Sequence, residues 1–541
     1  MLLTNKKLLP LPYLILMILS LSLFIFFFGL GNYGLLDKDE PRYAYGALDM
    51  LRTNDWIVPK FNLQDAFDKP ILFYWLIAFS YKFFGISDFT SRLPSAACAT
   101  LCVLFTWYTA KKVFGRKVAF LSAIILATSI EFILLGRRAA TDIALCLFFT
   151  GSLYSIFLSY YIKDFKLKIY WCIVAGVFCG LSVLTKGPVG VLLPLIILTF
   201  FLILKRQFDI KHLRIYFIIL FFMFLISLPW YVAVHVATNG GFTREFFFLH
   251  NLKRFTSVVG DHPGPFWFYI PVVLGGFMPW TLFLIYSLAK FLNPKILLKK
   301  NLNKLIQFSL VWIVTVFLFF SFSTTKLATY ILLIFPPLSI LTAYWVLVLS
   351  RKNLALLKRT FVFTTLLLTP IIFYVFNLFS KWNLEETFKT PLLIKMIFVV
   401  IFLFTGILFS FFIFKKTYQF VVSFALCFVL SFVLGLNFYL VPYYRHTHED
   451  LRNFALIAKK IGAKQIISFG MYRPSLVYYS GLPVDFSDKK EQKLLIKSCS
   501  DLKSKVCIIG HTNDLENHKE LFKNVKILDK QKKYFIGIFV S

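Results

Sequence analysis

"PILFYWLIAFSYKFFG", Pro70–Gly85, is the stretch on which the topology of this chain turns. It is apolar and aromatic enough to enter a bilayer, but it is short and interrupted by Lys82. A helix that crosses a hydrocarbon core of about 30 Å needs about 20 apolar residues. A run of this length reads instead as an interfacial or re-entrant helix. If it did cross, every loop after it would change sides. The composition makes that question central, because 58% of the 541 residues are apolar and only 16% are charged. A soluble domain is nearer half apolar and a quarter charged. The chain therefore reads as a polytopic α-helical membrane protein.

Apolar runs able to span occur near residues 11–31, 93–110, 118–135, 142–162, 169–184, 188–204, 213–234, 266–289, 305–322, 328–350, 360–379, 390–414 and 418–441. That predicts about 13 transmembrane helices. The first run, Leu11 to Gly31, lacks a small-residue cleavage signal and reads as a retained span. Alternate connections from the N-terminus hold Lys6 and Lys7; Lys111, Lys112, Arg116 and Lys117; Lys163, Lys166 and Lys168; Lys205, Arg206, Lys211 and Arg214; Lys290, Lys295, Lys299, Lys300 and Lys304; Arg351, Lys352, Lys358 and Arg359; Lys415 and Lys416. Against these 24 basic residues stand two acids, Asp164 and Asp209. The other connections carry Asp37, Asp39, Glu40, Asp49, Asp55, Asp65, Asp68, Asp88, Asp142, Glu245, Asp261, Glu385 and Glu386. Lys and Arg collect in cytoplasmic loops, and this separation survives only if 70–85 stays on the outer surface. The N-terminus is then cytoplasmic and the tail extracytoplasmic. The formal charge of +33 reflects those loops and membrane lipid, with no need of nucleic acid.

Residues 1–441 form the predicted transmembrane domain, with 37–92 as its outer first loop. From 442 to 541 the pattern changes. "KQIISFG", "KVCIIGH" and "YFIGIFVS" alternate with helical, Lys-rich stretches, which predicts a small extracytoplasmic α/β domain. No P-loop or GxGxxG is present in it. Of the eight cysteines, Cys98, Cys102, Cys146, Cys172, Cys179 and Cys427 lie in apolar runs and read as small core residues. Cys499 and Cys507 are in the tail, where an oxidising compartment would allow a disulfide.

The outer loops collect the unusual residues. The first holds Asp39, Glu40, Arg42 and Tyr43, then Asp68 and Lys69; the second, "GRRAATD", ends in Asp142; the third is little more than "TKGP" around Lys186. The fourth holds His250, Lys253, Arg254 and His262, and the fifth Lys326 and Tyr330. Arg137 and Arg138 read as side chains snorkelling to the interface, and His250 as a packed polar residue. Asp142 and Lys186 sit at span ends in very short loops, where charge is expensive unless it is paired or lines a cavity. Carboxylates and several cations on one face predict a site for an anionic ligand. A site outside the cytoplasm has no ready ATP or nucleotide sugar, so an activated substrate arrives most simply on a lipid carrier. Its phosphate would meet Lys69, Lys186, Arg254 and Lys326, which would stabilise the charge that develops as it leaves.

"DKDEPRYA", "DKP", "LTKGPVG", "RFTSVVGDHPGPFWFYIPV" and "KLATYILLIFPPL", in this order, resemble the bacterial dolichyl-phosphate-mannose-protein mannosyltransferase family. The branch most resembled is the lipid A 4-amino-4-deoxy-L-arabinose transferases. The resemblance runs from about Leu35 to Leu338 and implies a GT-C fold in the bacterial inner membrane, with juxtamembrane helices after the first span and a periplasmic C-terminal domain. It implies an undecaprenyl-phosphate-linked sugar as donor, lipid A as acceptor and inversion at the transferred carbon. Asp39 and Asp142 match the family's two acidic positions. Arg42 and Tyr43 match the neighbours of the first, Lys69 and Lys186 the lysines associated with carrier phosphate, Arg254 and His262 the fourth-loop motif, and Tyr330 the Lys-Leu-x-x-Tyr motif. This chain departs from the branch at Pro41, where Thr is usual, and at Asp68, where Glu is usual. The resemblance also implies a divalent metal near the Asp68 position, with Asp68 and His262 as candidate ligands. Two other functions remain open from the residues alone: a protein O-glycosyltransferase with the same chemistry, and a transporter or flippase for a lipid-linked sugar. Transporter sites lie near the midplane and often between repeats, whereas these charges sit at one face.

Overall fold

The computed structural model describes residues 10–207, 209–253, 256–257, 262–291, 303–352, 359–360, 363, 417–499 and 506–539. The predicted spans at 360–379 and 390–414 lie, but for Thr360 and Phe363, outside the described residues. The chain divides into two compact units: Met1–Phe28, Phe67–Phe73 and Leu93–Leu436 form the first, and Gly29–Ala66, Tyr74–Arg92 and Asn437–Ser541 the second. Its first ten helices are α1 (Leu11–Phe27), α2 (Asp39–Thr53), α3 (Leu72–Phe84), α4 (Asp88–Phe114), α5 (Arg116–Ala127), α6 (Ile130–Gly136), α7 (Thr141–Tyr161), α8 (Phe165–Lys186), α9 (Val189–Leu204) and α10 (Ile210–Ala237).

Among the described residues seven helices are long and apolar enough to cross a membrane, or eight if α5 and α6 make one bent span. The sequence predicts about 13. Part of the difference is shorter apolar helices where spans were expected, including α1, α9, Phe266–Gly276 and Thr281–Phe291.

The expected span at 118–135 is α5 and α6, bent by 66°. The cause is local: the hydroxyls of Thr128 and Ser129 donate back to the Ile124 and Ile125 carbonyls, each at 2.7 Å, and such back-bonding bends helices. The expected span at 266–289 also breaks, between Gly276 and Thr281, around Pro279, which has no N–H to donate. The two breaks satisfy each other. Ile130 N–H donates to the Met278 carbonyl at 3.1 Å, and Trp280 Nε1 donates to Thr128 Oγ1 at 2.7 Å. In hydrocarbon such freed groups must find protein partners.

Nearly all of α7 is buried, and it packs on α8, which packs on α10. The α8–α10 approach depends on Gly176 and Gly180, four residues apart. A Cβ at Gly176 would lie 2.7 Å from the Ile219 carbonyl oxygen, and one at Gly180 2.7 Å from Ile226 Cβ. This is the small-xxx-small solution to close helix packing in a bilayer.

The second unit contains α2, most of α3, a short hairpin of β1 (Lys60–Phe61) and β2 (Gln64–Asp65), and a C-terminal α/β body. That body has β3 (Gln465–Ser468), β4 (Val484–Asp485), β5 (Val506–His511), β6 (Val525–Lys530) and β7 (Tyr534–Phe539) in the order β4-β3-β5-β7-β6. β3 is parallel to β4 and β5, while β7 is antiparallel to β5 and β6. Ile467, Phe469, Ile496, Val506, Ile508, Phe522, Val525 and Phe535 form its core. The sequence placed 37–92 with the spans and 442–541 apart; the contacts instead join most of the first loop to the tail. At 13 residues α3 is about 20 Å long, short of a bilayer. It buries Phe73, Tyr74, Ile77, Ala78 and Tyr81 and exposes Phe79, Phe83 and Phe84, the division of an interfacial helix. Cys507, in β5, is a buried free thiol; burial pushes it up to about 11.

Candidate active site

The first unit holds an ion pair between two helix ends. Asp142 is in the first turn of α7 and Lys186 is the last residue of α8. Each helix end favours the charge it carries, since helix N-termini attract anions and C-termini cations. Lys186 Nζ stands 2.6 Å from Asp142 Oδ1. Thr329 donates a hydrogen bond to the same carboxylate, and the charge of Lys69 also acts on it. Lys186 Nζ lies 5.4 Å from the centroid of the Tyr330 ring, a cation–π contact. The Tyr330 ring packs in turn on Phe320. The structure thus gathers Asp142, Lys186 and Tyr330, with Lys69 within electrostatic reach.

Lys69 Nζ donates to the Asp68 carbonyl at 2.9 Å and lies 3.8 Å from its carboxylate. His250 is on the π-helical segment Glu245–Lys253, its Nε2 3.6 Å from Glu245 Oε1. His262 is exposed, and its carbonyl accepts from Lys326 N–H at 2.9 Å. A bridge between Pro263 and Thr325 extends that join between the fourth and fifth loops. Arg254 lies outside the described residues. Lys326, expected at a lipid phosphate, instead points its ammonium at the Ser321 and Ser323 carbonyls, each at 2.7 Å. These are orphan carbonyls around the end of the helix Lys304–Phe322. The side chain is 5% exposed, and burial holds its ammonium below the usual lysine value. Arg137, expected to snorkel, is also buried: it donates to the Ile25 and Phe28 carbonyls at the end of α1, at 2.7 and 2.8 Å.

In the second unit, Asp39 is exposed at the start of α2. Glu40 is buried. Arg92 holds it bidentately, Nε to Oε1 at 2.9 Å and Nη2 to Oε2 at 2.7 Å, and Leu36 N–H donates to Oε2 at 2.8 Å. Arg92 also donates to the carbonyls of Leu30, Tyr33 and Gly34 at 2.8–2.9 Å. All five guanidinium donors are therefore engaged by one loop. Arg42 stacks over Phe61 at 5.6 Å, and Tyr43 packs on Tyr74.

Among the described residues no three His, Cys, Asp or Glu side chains gather as a metal would require. Asp68 faces the ammonium of Lys69, and this donor set does not fit a metal.

Sequence reading missed Arg92, Thr329 and Glu131. Glu131, in α6, is close enough for Asp142 to act on it, and its Oε2 is shielded with no hydrogen-bond partner among the described residues. The signal was available: an acid inside an apolar run is costly and marks function. Arg92 gave no such signal, being one basic residue before an expected span.

Residues 68–231 match the family model described as dolichyl-phosphate-mannose-protein mannosyltransferase. An undecaprenyl phosphate-α-4-amino-4-deoxy-L-arabinose arabinosyl transferase from Aeromonas salmonicida is 31% identical over 310 residues, 57% of this chain and 55% of that protein. Its namesake from Wigglesworthia glossinidia brevipalpis is 31% identical over 387 residues, 70% of this chain and 67% of that protein. The chain thus spans little more than half the length of the first of these relatives and about two thirds of the second. In fold, the chain is similar to ArnT from Cupriavidus metallidurans, solved bound to undecaprenyl phosphate: the TM-score is 0.81, covering 98% of this chain and 99% of that one, at 18% identity.

Proposed function

The chain belongs to the undecaprenyl phosphate-α-4-amino-4-deoxy-L-arabinose arabinosyl transferase family, and from that premise we propose that it transfers an aminosugar from a polyprenyl phosphate carrier to a phosphate of lipid A. The observation that carries this reading is the Asp142–Lys186 pair at the ends of two buried helices. A lysine held there by a carboxylate, with Lys69 nearby, is suited to a carrier phosphate.

In the reaction the bond between the anomeric carbon and the carrier phosphate oxygen breaks, and that oxygen keeps the electron pair. Lys186, Lys69 and Arg254 balance the charge that develops on it. The acceptor oxygen attacks the anomeric carbon from the opposite face. A phosphate acceptor, with a second pKa of about 6, needs no proton removed near neutral pH. Asp39 then orients the acceptor and stabilises positive charge on the sugar ring. With a hydroxyl acceptor, Asp39 would take the proton. Asp142 holds Lys186, and Tyr330 covers its ammonium. Lys326 supports the loop carrying Tyr330.

The chain works in the bacterial inner membrane, with its N-terminus cytoplasmic and its C-terminal body periplasmic. The distribution of Lys and Arg among its loops supports that orientation.

The test is transfer by purified protein from a labelled polyprenyl-phosphate aminosugar to lipid A. Product whose mass exceeds lipid A by one sugar is the expected result. Label on a secreted protein, with lipid A unchanged, would favour the protein O-glycosyltransferase suggested by the family description at residues 68–231.

A further inference from the structure

Asp39 stands between two anchored carboxylates. Glu40, on one side, is fixed by Arg92. Asp37, on the other, is fixed by the C-terminal body: its Oδ1 accepts from Ser475 N–H and its Oδ2 from Ser475 Oγ, both at 2.8 Å. Ser475 is on the short helix Pro474–Ser480. Other bonds tie the same segment to the same body. Leu35 N–H donates to the Tyr479 hydroxyl at 2.8 Å, and that hydroxyl donates to Asp88 Oδ1 at 2.9 Å. Beyond α2, Asn62 Nδ2 donates to the Val484 carbonyl at 2.7 Å, and Val484 N–H donates to Asn62 Oδ1 at 2.8 Å.

Apolar packing alone could hold two bodies together. A carboxylate whose two oxygens each accept a bond is an orienting device, because it fixes rotation as well as contact. It is also a costly one. Burial pushes the Asp37 carboxyl above its ordinary range, opposed by the Ser475 bonds and the charge of Arg473. Burying such a group is tolerable only when it is hydrogen-bonded.

We propose that the C-terminal body is a positioning element for catalysis, acting through the Ser475–Asp37 bonds to fix the loop that presents Asp39. Ser475 and Asp37 are positioning residues. The inference rests on the catalytic role proposed for Asp39.

The experiment uses full-length protein and compares Ser475→Ala, Ser475→Thr, Asp37→Asn, the Ser475→Ala/Asp37→Asn double variant and Asp39→Asn. Misplacement of a catalytic group by about 1 Å can cost about 100-fold. Ser475→Ala is expected to lower kcat by about 10-fold or more, leaving donor KM and binding of bare undecaprenyl phosphate unchanged. Ser475→Thr, which keeps the hydroxyl, should restore kcat, and the double variant should be no slower than the slower single variant. Full kcat in Ser475→Ala, no rescue by Thr, or additive losses in the double variant would overturn the inference while an inactive Asp39→Asn left the proposed function standing. A folded Asp39→Asn protein with normal turnover would overturn both.

Discussion

Three carboxylates lie within four residues at the start of α2, and each has a different environment. Asp37 is bound by Ser475, Glu40 is buried against Arg92, and Asp39 is exposed. Asp39→Asn should insert and melt normally, yet lose at least about 100-fold in transfer, the lower range for removing a preorganised electrostatic stabiliser. A folded, active variant would refute the assignment. Glu40 and Arg92 make the opposite prediction. Removing one partner of a buried pair costs about 3–5 kcal/mol, because the other charge is stranded. Arg92→Met should therefore lower the melting temperature sharply in detergent, and Arg92→Met with Glu40→Leu should melt higher than Arg92→Met alone. That an outer-face cluster existed was legible, since charge is conspicuous in a chain only 16% charged. The division of labour within it was not, because the partners lie 52 and 438 residues away.

At the level of elements, hydropathy located apolar helices but not where they break. It reports a preference for lipid or core along the chain, while the breaks at 128–130 and 277–280 are made by hydroxyls and a proline that barely alter that average. The sequence carried another signal in "GVFCG", where Gly176 and Gly180 face α10. Gly176→Ala should cost about 1–3 kcal/mol by overpacking, since the new methyl meets a backbone carbonyl. Gly275→Ala, with nothing within 4 Å of the new Cβ, should be neutral or slightly stabilising. Equal losses in the two would show that helix separation is not limiting at Gly176. In the tail, Cys507 should resist iodoacetamide at pH 8 until the protein is unfolded, because the thiolate is the nucleophile and burial pushes this thiol up to about 11. Rapid alkylation of folded protein would contradict the packing of β5.

For the whole molecule, one consequence of the second unit bears on topology. The paired bonds between Asn62 and Val484 join residues 422 positions apart. Two groups bonded in this way cannot lie on opposite sides of a bilayer, so an even number of crossings separates the first loop from the tail. Counting 70–85 as a span would make the number odd among the spans read from sequence. The helix there is 13 residues long, and the distribution of Lys and Arg among the loops predicts it on the surface. Length and charge thus point the same way, and the paired bonds keep the first loop and the tail together. In a background without native cysteines, Asp65→Cys and Asn524→Cys, both at exposed positions, should react with an impermeant thiol reagent added from the periplasm. Lys112→Cys, exposed in the last turn of α4 on the predicted cytoplasmic side, should react only after the inner membrane is opened. If α3 crossed the membrane, Asp65→Cys would keep its labelling while Lys112→Cys and Asn524→Cys exchanged theirs. That outcome would separate the first loop from the tail and break the unit that holds Asp39.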